Sequence, residues 1–231
     1  MKRLVILISG RGSNMAAILD AVHAGTIAAS VEAVISNRPA AAGLAAAASR
    51  GIPTSVVDQE AHRDRESFEQ ALTRALDALS PDLIVLAGFM RVLSPGFVQR
   101  YAGRMMNIHP SLLPAYPGLH THRRALADGV RIHGCTVHFV TADVDHGPVV
   151  AQGAVAVRPE DDEKTLAARV LSVEHRILVS AVRWFCEGRL VIEGSRVCVM
   201  KELGNESALI VPAVNLSQQD EDVEREPRRE P

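Results

Sequence analysis

Short apolar runs alternate with amphipathic stretches along the first half of the chain, and that rhythm predicts strands and helices in turn. Leu4–Ile8 is an uninterrupted Ile/Leu/Val run, as expected of a strand buried on both faces. Gly10-Arg11-Gly12-Ser13-Asn14 makes a turn, and Met15–Ala24 reads as a short helix ended by Gly25. Val31–Ile35 is a second strand, Ala40–Arg50 an alanine-rich helix closed by Gly51, and Thr54–Val57 a short third strand. Across Arg65–Leu79 the apolar residues fall at Phe68, Ala71, Leu72, Ala75, Leu76 and Leu79, which is helical spacing. Leu83–Ala87 follows as another buried strand. Such alternation predicts an α/β fold of three layers, a mostly parallel, Rossmann-like sheet covered by helices.

The second half is less regular. Arg104–His109 has strand character, Pro110–Leu119 is a loop punctuated by Pro and Gly, and Thr121–Asp128 is a short helix with Thr121 as its cap. His133–Val140 and Val149–Val157 are extended segments flanking Asp143–Pro148, with at least one antiparallel pairing expected there. Thr165–Glu187 is a long helix stopped by Gly188, and Leu190–Glu193 with Arg196–Met200 forms a hairpin around Gly194-Ser195. From about Leu216 the chain is polar, charged and proline-containing, which predicts a disordered tail. The expected organisation is one domain over 1–200 and an extension over 201–231.

Composition narrows the class. The 231 residues are 47% apolar but only 3% aromatic, so the core should be aliphatic and alanine-rich. A formal charge of −2 excludes a chain built around a broad basic face for nucleic acid. The three cysteines, Cys135, Cys186 and Cys198, have neither pairing logic nor metal-ligand spacing, which fits a reducing compartment. Leu4–Ile8 is too short for a leader's apolar region or a membrane span. A soluble cytoplasmic protein is expected.

The densest chemistry lies in Met106-Asn107-Ile108-His109-Pro110-Ser111-Leu112-Leu113-Pro114. Residues i and i+2 of a strand share a face, so Asn107 and His109 should project together where Pro110 stops the ladder. An amide and an imidazole aimed at one point suit a developing oxyanion. A carboxylate arriving from elsewhere, such as Asp145, could hold and charge the imidazole. An isolated Asn-x-His would equally make a capped strand end.

Gly10-x-Gly12 after a first strand invites a dinucleotide reading, which fails. Met15 stands where the third glycine belongs, and Ser36-Asn37-Arg38 offers no acid for a ribose diol. No Gly-Lys-Ser/Thr follows for a Walker loop. Backbone N–H groups at a helix N-terminus after Gly12, Ser13 and Asn14 could still hold one phosphate. The same residues would also make an ordinary turn with Ser13 or Asn14 as N-cap. Beyond the Leu83–Ala87 strand, the backbone of Met90, Arg91 and Val92 could pair with a flat heterocycle while Met90 and Leu93 line its slot. A plain, hydrophobically anchored turn is the competing account. The nine histidines, His120-x-His122, His133 and His138 among them, match no metal-site interval, though His120, His122 and His138 could surround the catalytic group. Glu174, among Arg169, His175 and Arg176, would by itself be a solvated helix face.

Taken together, Ile8-Ser9-Gly10-x-Gly12-Ser13-Asn14, Leu86-Ala87-Gly88-Phe89-Met90-Arg91, the Asn107–Pro114 motif and Val140–Gly147 resemble the folate-dependent formyltransferase superfamily. The Gly-Ser-Asn loop points within it to the phosphoribosylglycinamide formyltransferase family. The resemblance runs from residue 1 to about Ile192.

What it implies is transfer of formyl from 10-formyltetrahydrofolate, as co-substrate, to the glycyl amine of glycinamide ribonucleotide in purine biosynthesis. Asn107, His109 and Asp145 would be catalytic. Gly12, Ser13 and Asn14 would hold the ribose phosphate, and Glu174 would orient the acceptor amine. Arg65, Met90, Arg91, Val92, Leu93, Asn107 and the loop Thr141, Ala142, Asp143, Val144, Asp145 would embrace the folate. The resemblance implies no metal, no ATP, no nucleic acid or membrane partner, and a monomer or weak homodimer. One rival is a 10-formyltetrahydrofolate hydrolase, usually carrying an N-terminal regulatory domain, whereas the resemblance here starts at residue 1. A methionyl-tRNA formyltransferase would need a C-terminal RNA-binding domain. The third rival, an inactive folate- or nucleotide-binding regulator, has no need of all three catalytic groups.

Overall fold

The computed structural model describes residues 1–200. Among the described residues, nine strands form one sheet, in the order β3-β2-β1-β4-β5-β6-β7-β9-β8. The elements are β1 (Lys2–Ile8), α1 (Ser13–His23), β2 (Ala29–Ser36), α2 (Ala42–Ala48), β3 (Thr54–Val56), α3 (Arg65–Leu79), β4 (Leu83–Leu86) and α4 (Pro95–Arg100). They continue with β5 (Met105–His109), α5 (Thr121–Ala127), β6 (Ile132–Phe139), β7 (Val149–Ala156), α6 (Glu163–Cys186), β8 (Leu190–Glu193) and β9 (Arg196–Val199). Strands β1 to β5 pair in parallel. The chain then reverses: β6 is antiparallel to both β5 and β7, and β9 pairs parallel to β7 and antiparallel to β8. The expected mostly parallel sheet with antiparallel strands in the second half is what forms.

Both faces of the sheet are dry at β1 from Leu4 onward and at β4, and this explains their unbroken apolar runs. In β1, Leu4, Ile6 and Ile8 enter the core beneath α1, α2 and α6, while Val5 and Leu7 enter the core beneath α3 and α4. β4 divides in the same way, Leu83 and Val85 to the first core, Ile84 and Leu86 to the second. Burying a side chain of this size contributes about 1.5–3 kcal/mol. Positional preference is therefore strong and the register well fixed.

Several boundaries differ from expectation for local reasons. Helix α1 begins at Ser13, so Ser13 and Asn14 lie inside it; its cap is Gly12, at φ +74°, with no side-chain bond. A Cβ on Gly12 would also meet the Cα of Gly43 at 3.1 Å, so backbone and not a capping side chain shapes this turn. Helix α5 is capped by His120 in the left-handed region, and Thr121 is its first residue. Helix α2 is shorter than expected, and α6 starts earlier, because Asp162 and Thr165 form a reciprocal capping box. Helix α4 was not expected. Its start is local, with Ser94 Oγ accepting the Phe97 N–H at 3.3 Å and Pro95 at the first helical position. Glu69 of α3 fixes that cap by accepting from the Ser94 N–H at 2.7 Å and from the Ser94 hydroxyl. No helix among the described residues is long and apolar enough to cross a membrane. The expectations for 201–231, including the tail from Leu216, lie outside the described residues.

Candidate active site

β5 delivers two of the expected groups to one face. Met106 and Ile108 enter the first core and Met105 the second, which leaves Asn107 and His109 on the Met105 side, beyond the last apolar layer. β6 lies antiparallel alongside, and its register sets His138 opposite Asn107 and Thr136 opposite His109. The Asn107 amide nitrogen lies 3.2 Å from His138 Nε2. His138 Nδ1 lies 3.0 Å from the Phe139 carbonyl, which can only accept, so Nδ1 carries the proton and Nε2 is the acceptor for Asn107. Burial pushes the His138 pKa below its ordinary value and keeps that neutral form. One amide hydrogen of Asn107 is thereby committed, and its orientation is fixed.

His109 is oriented from both ends. Its Nε2 donates to the Tyr116 carbonyl at 2.9 Å, and its Nδ1 lies 3.3 Å from Asp145 Oδ2. Both side chains are below a tenth exposed. Asp145 Oδ2 also accepts the Gly118 N–H at 2.8 Å, and Oδ1 stands 3.7 Å from His138 Nε2. The Asp145 backbone is left-handed, φ +58°, a conformation Asp tolerates better than most residues. Its loop is seated by Gly147, where a Cβ would fall 1.7 Å from the Phe139 carbonyl oxygen. Beneath His109, Thr136 Oγ1 donates to the Ser111 carbonyl at 2.7 Å and accepts the Leu113 N–H at 3.0 Å. Ser111 Oγ donates to the Ala115 carbonyl at 2.6 Å. These buried bonds fix the segment that brings Tyr116 to the imidazole.

A second group of expected residues meets between α1 and α6. The Asn14 amide donates to Glu174 Oε2 at 2.6 Å, with both residues buried. Glu174 is thus not on a solvated face. Burial raises its pKa, and the hydrogen bond from Asn14 partly offsets the rise. Asn14 Oδ1 is buried with no hydrogen-bond partner. Gly12 and Ser13 are partly exposed at the mouth of this turn.

The loop after β4 is divided in its roles. Phe89 and Leu93 are core residues at 7% exposure each, whereas Met90 and Val92 stand 59% and 58% exposed. Leu93 therefore anchors the loop and does not line an open slot. Arg91 lies over the Phe68 ring, 5.2 Å from its centroid. Arg65, the first residue of α3, is exposed. Thr141 donates to the Asp143 carbonyl at 3.2 Å, while Ala142, Asp143 and Val144 are open to solvent.

His138 was legible only as a vague neighbour, and the Tyr116 carbonyl not at all. The available signal was the alternation in β6, which puts Thr136 and His138 on one face; their partners follow only from the register with β5. His122 pairs with His133 at 3.2 Å, and burial with the His122 charge pushes the His133 pKa down to about 4. Among the described residues, no group of three or more His, Cys, Asp or Glu side chains is placed to hold a metal ion.

The chain is similar to known proteins over most of its length. The formyl transferase family profile matches residues 2–182. Phosphoribosylglycinamide formyltransferase of Escherichia coli K12 is 50% identical over 187 residues, 81% of this chain and 88% of that one. The crystal structure of glycinamide ribonucleotide transformylase 1 from Symbiobacterium toebii superposes with a TM-score of 0.84 at 48% identity, over 86% of this chain and 94% of that one. Formyltetrahydrofolate deformylase from Burkholderia mallei shares the fold at TM-score 0.79, but at 30% identity, over 87% of this chain and 70% of its own. The chain belongs to the formyl transferase family, among the phosphoribosylglycinamide formyltransferases.

Proposed function

We propose that this protein transfers the formyl group of 10-formyltetrahydrofolate to the glycyl amine of 5'-phosphoribosylglycinamide. The observation that carries the reading is the joined set Asn107–His138 and His109–Asp145 at the parallel-to-antiparallel seam. The amine attacks the formyl carbon, a new C–N bond forms, and the carbonyl oxygen becomes an oxyanion. Asn107 donates its uncommitted amide hydrogen to that oxygen. His109, with Asp145 beside it, supplies the second donor, and the formyl oxygen competes with the Tyr116 carbonyl for the Nε2 hydrogen. Each such donor typically lowers the barrier by about 3 kcal/mol. The bond to the folate nitrogen then breaks, and the amine proton passes to that nitrogen, with a water or Asp145 as the shuttle. The formyl carbon arrives already activated on the folate, so the step draws on neither metal nor ATP.

The acceptor is read onto Gly12, Ser13 and Asn14, whose N–H groups at the start of α1 suit a phosphate. The orphaned Asn14 Oδ1 awaits a donor from the same molecule, and Glu174 orients its amine. The folate is read against the Met90–Leu93 loop, Arg65 and the Thr141–Asp145 loop. The relatives do not favour a hydrolase.

The test follows folate absorbance with and without glycinamide ribonucleotide. Turnover only with the ribonucleotide is expected. Equal turnover without it would mean hydrolysis, and no turnover with folate still bound would mean a regulator. Asn14→Ala should raise the acceptor KM with little change in the donor KM; an unchanged acceptor KM removes the Asn14 side chain from the acceptor site.

A further inference from the structure

We propose that Ser9 is a positioning residue that couples the two substrate sites, with Asn37 holding its hydroxyl in place. The proposal rests on the reading of Gly12–Asn14 as the acceptor site and Met90–Leu93 as part of the folate site. Ser9 directly precedes the Gly10–Gly12 turn, and it is tied twice to the loop after β4. Its backbone N–H donates to the Gly88 carbonyl at 3.1 Å, and its Oγ accepts the Met90 N–H at 2.7 Å. Met90 lies beyond the end of β4 at Leu86, where no strand ladder serves its N–H. A side chain does so instead, from the strand that launches the acceptor turn.

The hydroxyl has no freedom to turn away. Its own hydrogen is given to Asn37 Oδ1 at 2.6 Å. The Asn37 amide nitrogen donates to Gln59 Oε1 at 2.7 Å, and the Asn37 backbone carbonyl accepts the Gln59 N–H at 3.2 Å. Ser9 is 6% exposed and Asn37 1%, so the bond between them is dry, and the flanking bonds to Met90 and Gln59 are partly buried. Apolar residues would fill this space without the desolvation cost of two buried polar side chains. A hydroxyl that is at once donor and acceptor transmits a shift of the acceptor turn to the backbone of Met90. Binding at one site then alters affinity at the other by the same factor in both directions.

Tetrahydrofolate is the probe, because it carries no formyl group and cannot turn over. Its Kd is measured calorimetrically on the full chain, without and with saturating glycinamide ribonucleotide. Wild type should bind it several-fold more tightly in the presence of the ribonucleotide. Ser9→Ala should bring that ratio close to one and raise the formyl-donor KM roughly three- to tenfold, the scale of one hydrogen bond, with kcat within about twofold. Asn37→Ala, which leaves the hydroxyl free to rotate, should lower the ratio part of the way. A purely structural role would lower the Tm and leave the ratio unchanged. An unchanged ratio in Ser9→Ala, or a ratio of one in wild type, overturns the coupling. If neither buried variant folds, Gln59→Ala at the outer end decides: a reduced ratio supports the coupling and an unchanged one overturns it. Wild-type protein that binds neither ligand would instead overturn the functional reading, and the coupling with it.

Discussion

The parallel and antiparallel halves of this sheet solve opposite problems. In β1 and β4 both faces lie under helices, and every position except the exposed start of β1 is apolar and dry. In β5 and β6 one face still feeds the first core, through Met106, Ile108, Cys135, Val137 and Phe139. The other face carries Asn107, His109, Thr136 and His138. The reversal at β6 makes this possible, because an antiparallel partner brings side chains directly opposite one another without a crossover helix above them. Two-faced burial is found in β1 and β4, and the candidate catalytic groups lie where the strand direction changes.

The sharpest way to break that division is at the seam. Asp145→Ala and His109→Ala should each lower kcat by about 10²–10⁴-fold while leaving the circular dichroism spectrum intact. A near-normal rate in either would remove the proposed mechanism. The matching change in the parallel half is Leu83→Ala, which opens a cavity in a fully buried strand. It should cost about 2–5 kcal/mol of unfolding free energy with KM values close to wild type. Denaturant melts together with steady-state rates check both, and a large kinetic effect from Leu83→Ala would dissolve the contrast.

His138→Leu sharpens the comparison, since the residue touches the site through Asn107. Loss of the Nε2 acceptor frees the Asn107 amide to rotate. The expected result is a kcat about ten- to a hundredfold lower with KM values little altered. His138→Gln, whose side-chain oxygen can accept, should recover part of the rate. Equal damage from both variants would mean that the imidazole matters for packing alone.

How far this was legible in sequence divides along the same line. Leu4–Ile8 and Leu83–Ala87 announced themselves because burial on both faces demands unbroken apolar runs. Asn107 and His109 were legible as a pair, because their spacing matches the strand period. His138 and the Tyr116 carbonyl were not, since their partners depend on cross-strand register and on a loop held by Thr136 and Ser111. Helix α4 carried a local signal, Ser94 as N-cap before Pro95, and what its six residues do not show is the tie of that cap to Glu69 of another helix. Asp145 was a candidate by residue type alone, and Glu174 carried meaning only through resemblance. Nothing in their local sequence reveals that one reaches His109 and the other is buried against Asn14.

The smallest effect is expected at Glu174, where an apolar setting and a charge meet away from the seam. Burial raises the folded-state pKa of this carboxyl above its ordinary 4.5. The native protein therefore keeps the proton to higher pH than the unfolded chain does. That favourable contribution is fully present below the unfolded value and is lost as pH rises through the folded one. Glu174→Gln removes the titration while keeping an oxygen that can accept from Asn14. Relative to wild type, the variant should gain stability as pH is raised above about 4.5, seen as a growing positive difference in Tm between acid and neutral pH. It should also raise the acceptor KM, because a neutral amide oxygen accepts from the glycyl amine more weakly than a carboxylate does. A Tm difference that does not change with pH would mean that Glu174 titrates alike in folded and unfolded chains, and that Asn14 fully offsets its burial. An unchanged acceptor KM would leave the buried pair a structural tie between α1 and α6, with no part in holding the amine.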